Sequence, residues 1–339
     1  MEADSTTYDS GSYINNSNDK NIFFPFTASP RNIALYEELL IKKGDKPLEC
    51  QIVERLQNFG LLSTSLQCPE ARPDCNLVCK PARVVDRVQW VCEGCKKKQP
   101  IRTGSFFYKL QCSILQAMQM IFAWCEDAEI TEAAEFFDVK FRTASIIYEK
   151  LDELTATQMR RTKLGGEGAA VLTEMYPDCL NRQSPDTTDQ AHALQILMVA
   201  DTKQIPTNYR LHVMKSNLKK VPFSDTLQLI QAEVQEVISS VIESDPLLVC
   251  GNNVPPVDAA VPLTQLLQHC DVEMQHFLST RVWRQALTLC GAARDLCACA
   301  STPVCGGAMQ LYLDTALYRL RHEHDFYRHV LTLLTSFVQ

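Results

Sequence analysis

Four cysteines within residues 67–107 have the types and spacing of a metal centre. Cys92 and Cys95 form a C-x2-C knuckle behind Trp90, and two thiolates placed this way converge on one ion at little backbone cost. A second pair must complete a four-coordinate site. Cys68-x6-Cys75 supplies it, with Cys68-x10-Cys79 as the alternative; both are wider than the usual roughly two to four intervening residues. The expected ion is structural zinc, held by Cys68, Cys75, Cys92 and Cys95, and the competing reading is a set of free core thiols. The chain has 15 cysteines in 339 residues and its start lacks a basic n-region and an apolar h-region. Secretion is therefore not expected, and the thiols read as reduced.

The same stretch carries positive charge. From Lys80 to Leu110 there are eight basic residues (Lys80, Arg83, Arg87, Lys96, Lys97, Lys98, Arg102, Lys109) against Asp86 and Glu93, a local +6 in a chain of net charge −7. The remainder is thus at −13, which argues against a surface that grips nucleic acid everywhere. Lys96, Lys97, Lys98 and Arg102 are candidate phosphate contacts; the alternative is the solvated edge of a zinc ribbon.

These residues need elements to position them. Residues 1–28, rich in Ser, Asn and Asp, read as a disordered tail. Helical periodicity after Pro30 and again around Ile52 to Leu62 defines a helical unit over 29–66, followed by the ribbon over 67–110. Residues 111–163 contain three apolar helices, the last two joined by a short turn at 138–140, as in a helix-turn-helix. The start of the last helix nominates Lys140, Arg142 and Thr143 for the DNA groove. Glu126, Asp127, Glu129, Glu132, Glu135 and Asp138 crowd the preceding helix and would repel phosphate, so a purely structural bundle or partner surface competes with a DNA reader. Over 164–339, short apolar strands (VLTEM, HALQILMVA, NYRLHVMKS, PLLVCG) alternate with helices, which indicates an α/β domain closed by C-terminal helices. Cys290, Cys297, Cys299 and Cys305 fit no ligand spacing, and the Arg321-His322-Glu323-His324 run points to different faces of a helix. With 46% hydrophobic and 22% charged residues the chain is globular, and no apolar run is long enough for a membrane span.

Taken in order, NFGLL, the cysteine pairs, QWVCEGC, IRTGSFF, the helix-turn-helix, KLGGEG before a strand, and YLDTALYRLRH resemble the transposases of Merlin-type DNA transposons and their bacterial insertion-sequence relatives. The likeness runs from about Ile52 onward and is specific at 90–107, 164–168 and 312–322. It implies a multi-domain α+β chain: N-terminal helices, zinc ribbon, helix-turn-helix, then an RNase H-like core with three metal-binding acids. Such acids hold two divalent ions about 3.5–4 Å apart for phosphodiester transfer. By the resemblance they fall at Glu174 (in VLTEM), at Cys250 or Gly251 (closing PLLVCG), and at Thr280, three residues before Trp283. Two of the three are not carboxylates, so a degenerate core without catalytic magnesium is expected. A shifted register leaves Asp201, Asp225, Asp245, Asp258 or Asp271 as alternatives. The resemblance then implies a domesticated, catalytically inactive nuclear protein. Double-stranded DNA or chromatin and nuclear proteins would be its partners, with no membrane association; a homodimer is compatible with it.

Overall fold

The computed structural model describes residues 23–176, 195–201, 208–215, 223–243, 246–251, 253–268, 271–273, 284, 286, 288–289 and 306–338. Its centre is helix α3 (Ile114–Cys125), in which nine of twelve residues are buried. A helix apolar on every side must be surrounded by other elements. Its start is fixed by a capping box, with the Ser113 hydroxyl accepting from the Gln116 N–H and the Gln116 side chain accepting from the Ser113 N–H.

Helix α1 (Pro30–Leu40) begins at a proline that suits the first helical turn and buries Leu35, Tyr36, Leu39 and Leu40. Its first turn is anchored on Glu126, just past α3, whose carboxylate accepts from Ser29 N (2.9 Å) and Asn32 Nδ2 (2.6 Å). A carboxylate at a helix N-terminus is favourable for the helix dipole. Helix α2 (Leu48–Phe59) follows. Of the expected tail over 1–28, residues 1–22 lie outside the described residues, and Phe24 and Phe26 pack on each other and against Phe122 and Phe137. Aromatic burial of this size outweighs the polar composition around it.

The ribbon is a three-stranded antiparallel sheet of β1 (Leu77–Pro81), β2 (Val88–Cys92) and β3 (Lys98–Pro100) in that order. Helices α4 (Ile130–Phe136) and α5 (Phe141–Arg161) complete a three-helix unit with α3. Gln116 clamps the turn between them by donating to Asp138 O at 2.8 Å and Phe137 O at 3.3 Å.

The second sheet contains β4 (Ala170–Tyr176), β5 (Ile196–Asp201), β6 (Tyr209–Val213), β7 (Leu247–Cys250) and β8 (Val261–Pro262), in the order β6-β5-β4-β7-β8. β4, β5 and β6 form an antiparallel meander, while β7 lies parallel to β4 and β8 parallel to β7. The parallel step needs a crossover. Helix α6 (Phe223–Val241) lies between β6 and β7 in the chain, and short α7 (Leu263–Leu267) follows β8. Every residue of β5 is buried, as expected for a strand covered on both faces. Leu197 and Val199 pack with Val234 and Ile238 of α6, whereas Met198 and Ala200 join the core that includes α3 and α5.

The last two helices, α8 (Gly306–Arg321) and α9 (Phe326–Leu334), return to the N-terminal half. Asp314 of α8 pairs with Arg160 of α5 at 2.9 Å, and Tyr327 of α9 meets Phe122 of α3 edge-on. The division at 163/164 is thus one of topology, since a single apolar core runs from α1 through α3 to one face of the second sheet. Helix and strand are both present, in two separate sheets, and among the described residues no helix is long and apolar enough to cross a membrane.

Candidate metal centre

The ribbon's turns bring four cysteines together. The ligand atoms of Cys68, Cys75, Cys92 and Cys95 all lie within 4.8 Å of one another, with the Cys68 and Cys95 sulfurs 3.4 Å apart. The upper pair is shaped by two successive turns, Ala71 N donating to Cys68 O and Cys75 N to Arg72 O, both at 3.0 Å. These fold the six intervening residues back, so the wide spacing still closes. The lower knuckle is fixed by Cys92 N to Lys97 O (2.8 Å) and Lys96 N to Cys92 O (3.1 Å), with Lys96 at φ 62°. Gly94 lies against the backbone of Asp74, where an added Cβ would collide with the carbonyl. That glycine lets the two halves of the centre approach. Cys79, the alternative ligand, sits on β1 opposite Trp90, is exposed, and lies outside the cluster.

The four sulfurs fit a tetrahedral ion. A metal–sulfur bond of about 2.3 Å requires sulfurs about 3.8 Å apart, within the spread observed. The protons are unevenly held. Burial raises the Cys75 thiol, and its hydrogen bonds to Cys92, Cys68 and Cys95 raise it further, to about 12. Burial acts the same way on Cys92, but the Cys95 N–H and the thiols of Cys95, Cys75 and Cys68 outweigh it and bring Cys92 down to about 6. The thiols share hydrogen bonds and titrate as one group, and a cation such as zinc would displace protons from the cluster on binding.

The candidate DNA contacts divide into exposed and buried groups. Lys96, Lys98, Lys140 and Arg142 are exposed. Lys97 is also exposed but ion-paired to Glu70, and Lys80 pairs with Glu93 at 3.3 Å. Arg102 is not a phosphate contact. Its side chain is 8% exposed and paired with Asp86, itself 9% exposed, and it also donates to Leu110 O and Cys112 O at 3.0 Å. Asp86 in turn accepts from Ile114 N at 3.2 Å, so this pair joins the ribbon to the start of α3. Thr143 is likewise buried, on the α5 face shared with Ala144, Ile147 and Leu151, and cannot reach a base edge. Around Lys140 and Arg142, Glu132, Glu135 and Asp138 are exposed, whereas Glu126 is occupied by α1 and Glu129 caps α4.

In the second sheet the structure brings two of the three degenerate positions together. Thr173 of β4 is in register with Cys250 of β7, and Gly251 N donates to Thr173 O at 2.8 Å. Glu174 is 1% exposed, and its carboxylate lies where a Cβ on Gly251 would have to be. Burial raises its pKa, opposed by hydrogen bonds from Met175 N (3.0 Å) and from Asn253. Thr280 lies outside the described residues. Of the alternatives, Asp201 is buried at the far end of β5, accepting from Gly165 N at 2.9 Å. Asp258 and Asp271 are exposed, Asp245 is outside the described residues, and so is the side chain of Asp225. Among the described residues, the cysteine cluster is the one grouping of three or more His, Cys, Asp or Glu side chains placed to hold a metal.

Sequence reasoning missed Asp86, Asn253 and Gly94. Asp86 and Asn253 carry no local signal, since each acts on a group distant in sequence. Gly94 had one, a residue without a side chain inside a C-x2-C turn. No protein-family model matches the chain, and no curated protein or solved structure matches it either.

Proposed function

We propose that the protein is a transposase-derived nuclear factor that has lost strand-transfer chemistry. It binds duplex DNA or chromatin through a zinc ribbon and helix-turn-helix and recruits protein partners through the rest of its surface. In this reading Cys68, Cys75, Cys92 and Cys95 hold one structural zinc, and Lys96, Lys98, Lys140 and Arg142 contact phosphates. The second sheet, an antiparallel meander continued by two parallel strands, supports an RNase H-like core. The observation that carries the reading is the position of the Glu174 carboxylate over Gly251. Two acids of a metal pair would need separate oxygens on β4 and after β7; here the Glu174 carboxyl takes the space beside Gly251, and among the described residues no group of three metal-binding side chains forms there.

The test is a gel-shift titration of the full chain on duplex DNA at increasing salt. Binding that weakens linearly in log–log form with salt is expected, and the absence of any shift at low salt would refute the DNA part. A scaffold that does not touch DNA is the second reading. It is favoured by the burial of Arg102 and Thr143, the pairing of Lys97 with Glu70, and the exposed Glu132, Glu135 and Asp138. Charge reversal of Lys140 and Arg142 separates the two, since a scaffold keeps its partners and localisation after that change.

A further inference from the structure

A groove of about 800 Å³ runs between the ribbon and the start of α3. One wall is the β1–β2 turn, closed by Ala82 N to Arg87 O and Arg87 N to Val84 O, both at 2.9 Å. The tip of that turn is Val84 and Val85, 41% and 68% exposed. Tight turns favour Gly, Asn, Asp and Pro, so two adjacent valines held out in solvent have no local structural reason. The opposite wall is Tyr108, 45% exposed, and Leu110. Val84, Val85 and Tyr108 are the exposed apolar side chains here, Leu110 being buried beneath them, and exposed apolar groups gathered at one groove mark an interaction site.

The exposed charged residues in the groove lining are both positive. Lys98 and Lys109 line it, and Arg83 and Arg87 flank the two valines. All four are exposed and have no carboxylate partner among the described residues. Asp86 is the one acid in the lining, and it is neutralised beneath the surface by Arg102. Arg87 and Lys109 also sit at positive φ, 55° and 64°, where a glycine or asparagine would be accommodated more easily. The far end of the groove is Gln116, which holds the α4–α5 turn.

We propose that this groove binds an extended acidic segment of a partner protein, with apolar side chains seated between the valine turn and Tyr108 and carboxylates on the four cations. Single-stranded nucleic acid would also meet the charge, but it draws its affinity from several stacking aromatics. This groove offers Tyr108 alone among aliphatic walls. The inference rests on the partner-recruiting half of the proposed function and gives it a location and a chemistry.

The test is fluorescence anisotropy with the full chain and a labelled twelve-residue peptide alternating Asp or Glu with Leu or Phe. Binding is expected to weaken with salt and to fall about tenfold in the double variant Lys98→Glu, Lys109→Glu. It is expected to fall about threefold in Val85→Ser. A peptide with Ser at the apolar positions should bind more weakly, and the pair Lys140→Glu, Arg142→Glu should leave peptide affinity unchanged. No binding, equal binding by the groove variants, or displacement by oligo-dT at micromolar concentration would overturn the inference. A duplex shift without peptide binding refutes the groove alone; peptide binding without a duplex shift refutes DNA recognition and leaves the groove standing.

Discussion

The ribbon and the second sheet each assemble residues that could hold metal, and they do so in opposite ways. In the ribbon, six residues between Cys68 and Cys75 fold through two turns so that four sulfurs converge. In the sheet, two neighbouring parallel strands bring Glu174 and Gly251 together, and the single carboxyl fills the gap. One end has four ligands for one ion. The other brings one carboxyl, Glu174, to the juxtaposition, and among the described residues it forms no group of three metal-binding side chains. The same kind of backbone juxtaposition thus yields a site only where the side chains supply donors.

The largest expected effect breaks the first half of that contrast. Cys92→Ser should remove tightly bound metal, lowering content from about one zinc per chain to a small fraction by elemental analysis, and should unfold the ribbon. Structural zinc contributes on the order of 10 kcal/mol to small domains. A wild-type chain purified without zinc would erase the contrast.

Next in size is Asp86→Ala, which leaves the Arg102 guanidinium buried without its partner. A cost of about 3–5 kcal/mol in chemical denaturation is expected. The double change Asp86→Leu, Arg102→Met should recover most of it. If Arg102 instead swings out to solvent, the single change will cost under about 1 kcal/mol, in the range of a surface pair.

The sheet end is sharpened by Gly251→Ala. The new methyl would strike the Glu174 carboxyl, and overpacking of this kind costs about 1–3 kcal/mol. In the Glu174→Ala background the same change should cost much less, and a double-mutant cycle measures the difference. Additive effects would show that the carboxyl does not occupy that space.

Smaller still is a pH effect. Burial raises the folded pKa of Glu174 above its ordinary 4.5, so the native state holds this proton more firmly than the unfolded chain. Its contribution to stability is full below the unfolded value and is lost as pH rises through the folded one. Glu174→Gln should therefore gain relative to wild type as pH is raised from 4 towards neutrality, read as the difference in Tm; a pH-independent difference would contradict the burial argument.

Much of the ribbon was legible because its signal is local. The knuckle at Cys92 and Cys95 is a spacing, and so is its Trp90 neighbour. The choice of Cys75 over Cys79 was not, because it depends on the turns at Ala71 and Cys75 rather than on counting residues. Arg102 read as a phosphate contact since sequence displays its charge and hides Asp86, sixteen residues earlier, which removes that charge from the surface. Thr143 had a usable warning: Ala144, Ile147 and Leu151 form an apolar helical stripe, and Thr143 lies at its edge. Phe24 and Phe26 pack against the core although their surroundings are polar, because two aromatic rings can be partly covered by partners about a hundred residues away. The strands of the second sheet were readable from short apolar runs, but the meeting of Glu174 with Gly251 required the parallel register of β4 and β7.

The central proposal is that the protein binds DNA and lacks strand-transfer chemistry. It is tested most directly by incubating the full chain with supercoiled duplex DNA and magnesium or manganese, and scoring bound and nicked DNA in the same reaction. The account predicts salt-sensitive complexes and no nicked product. Metal-dependent nicking that disappears in Glu174→Ala would contradict it.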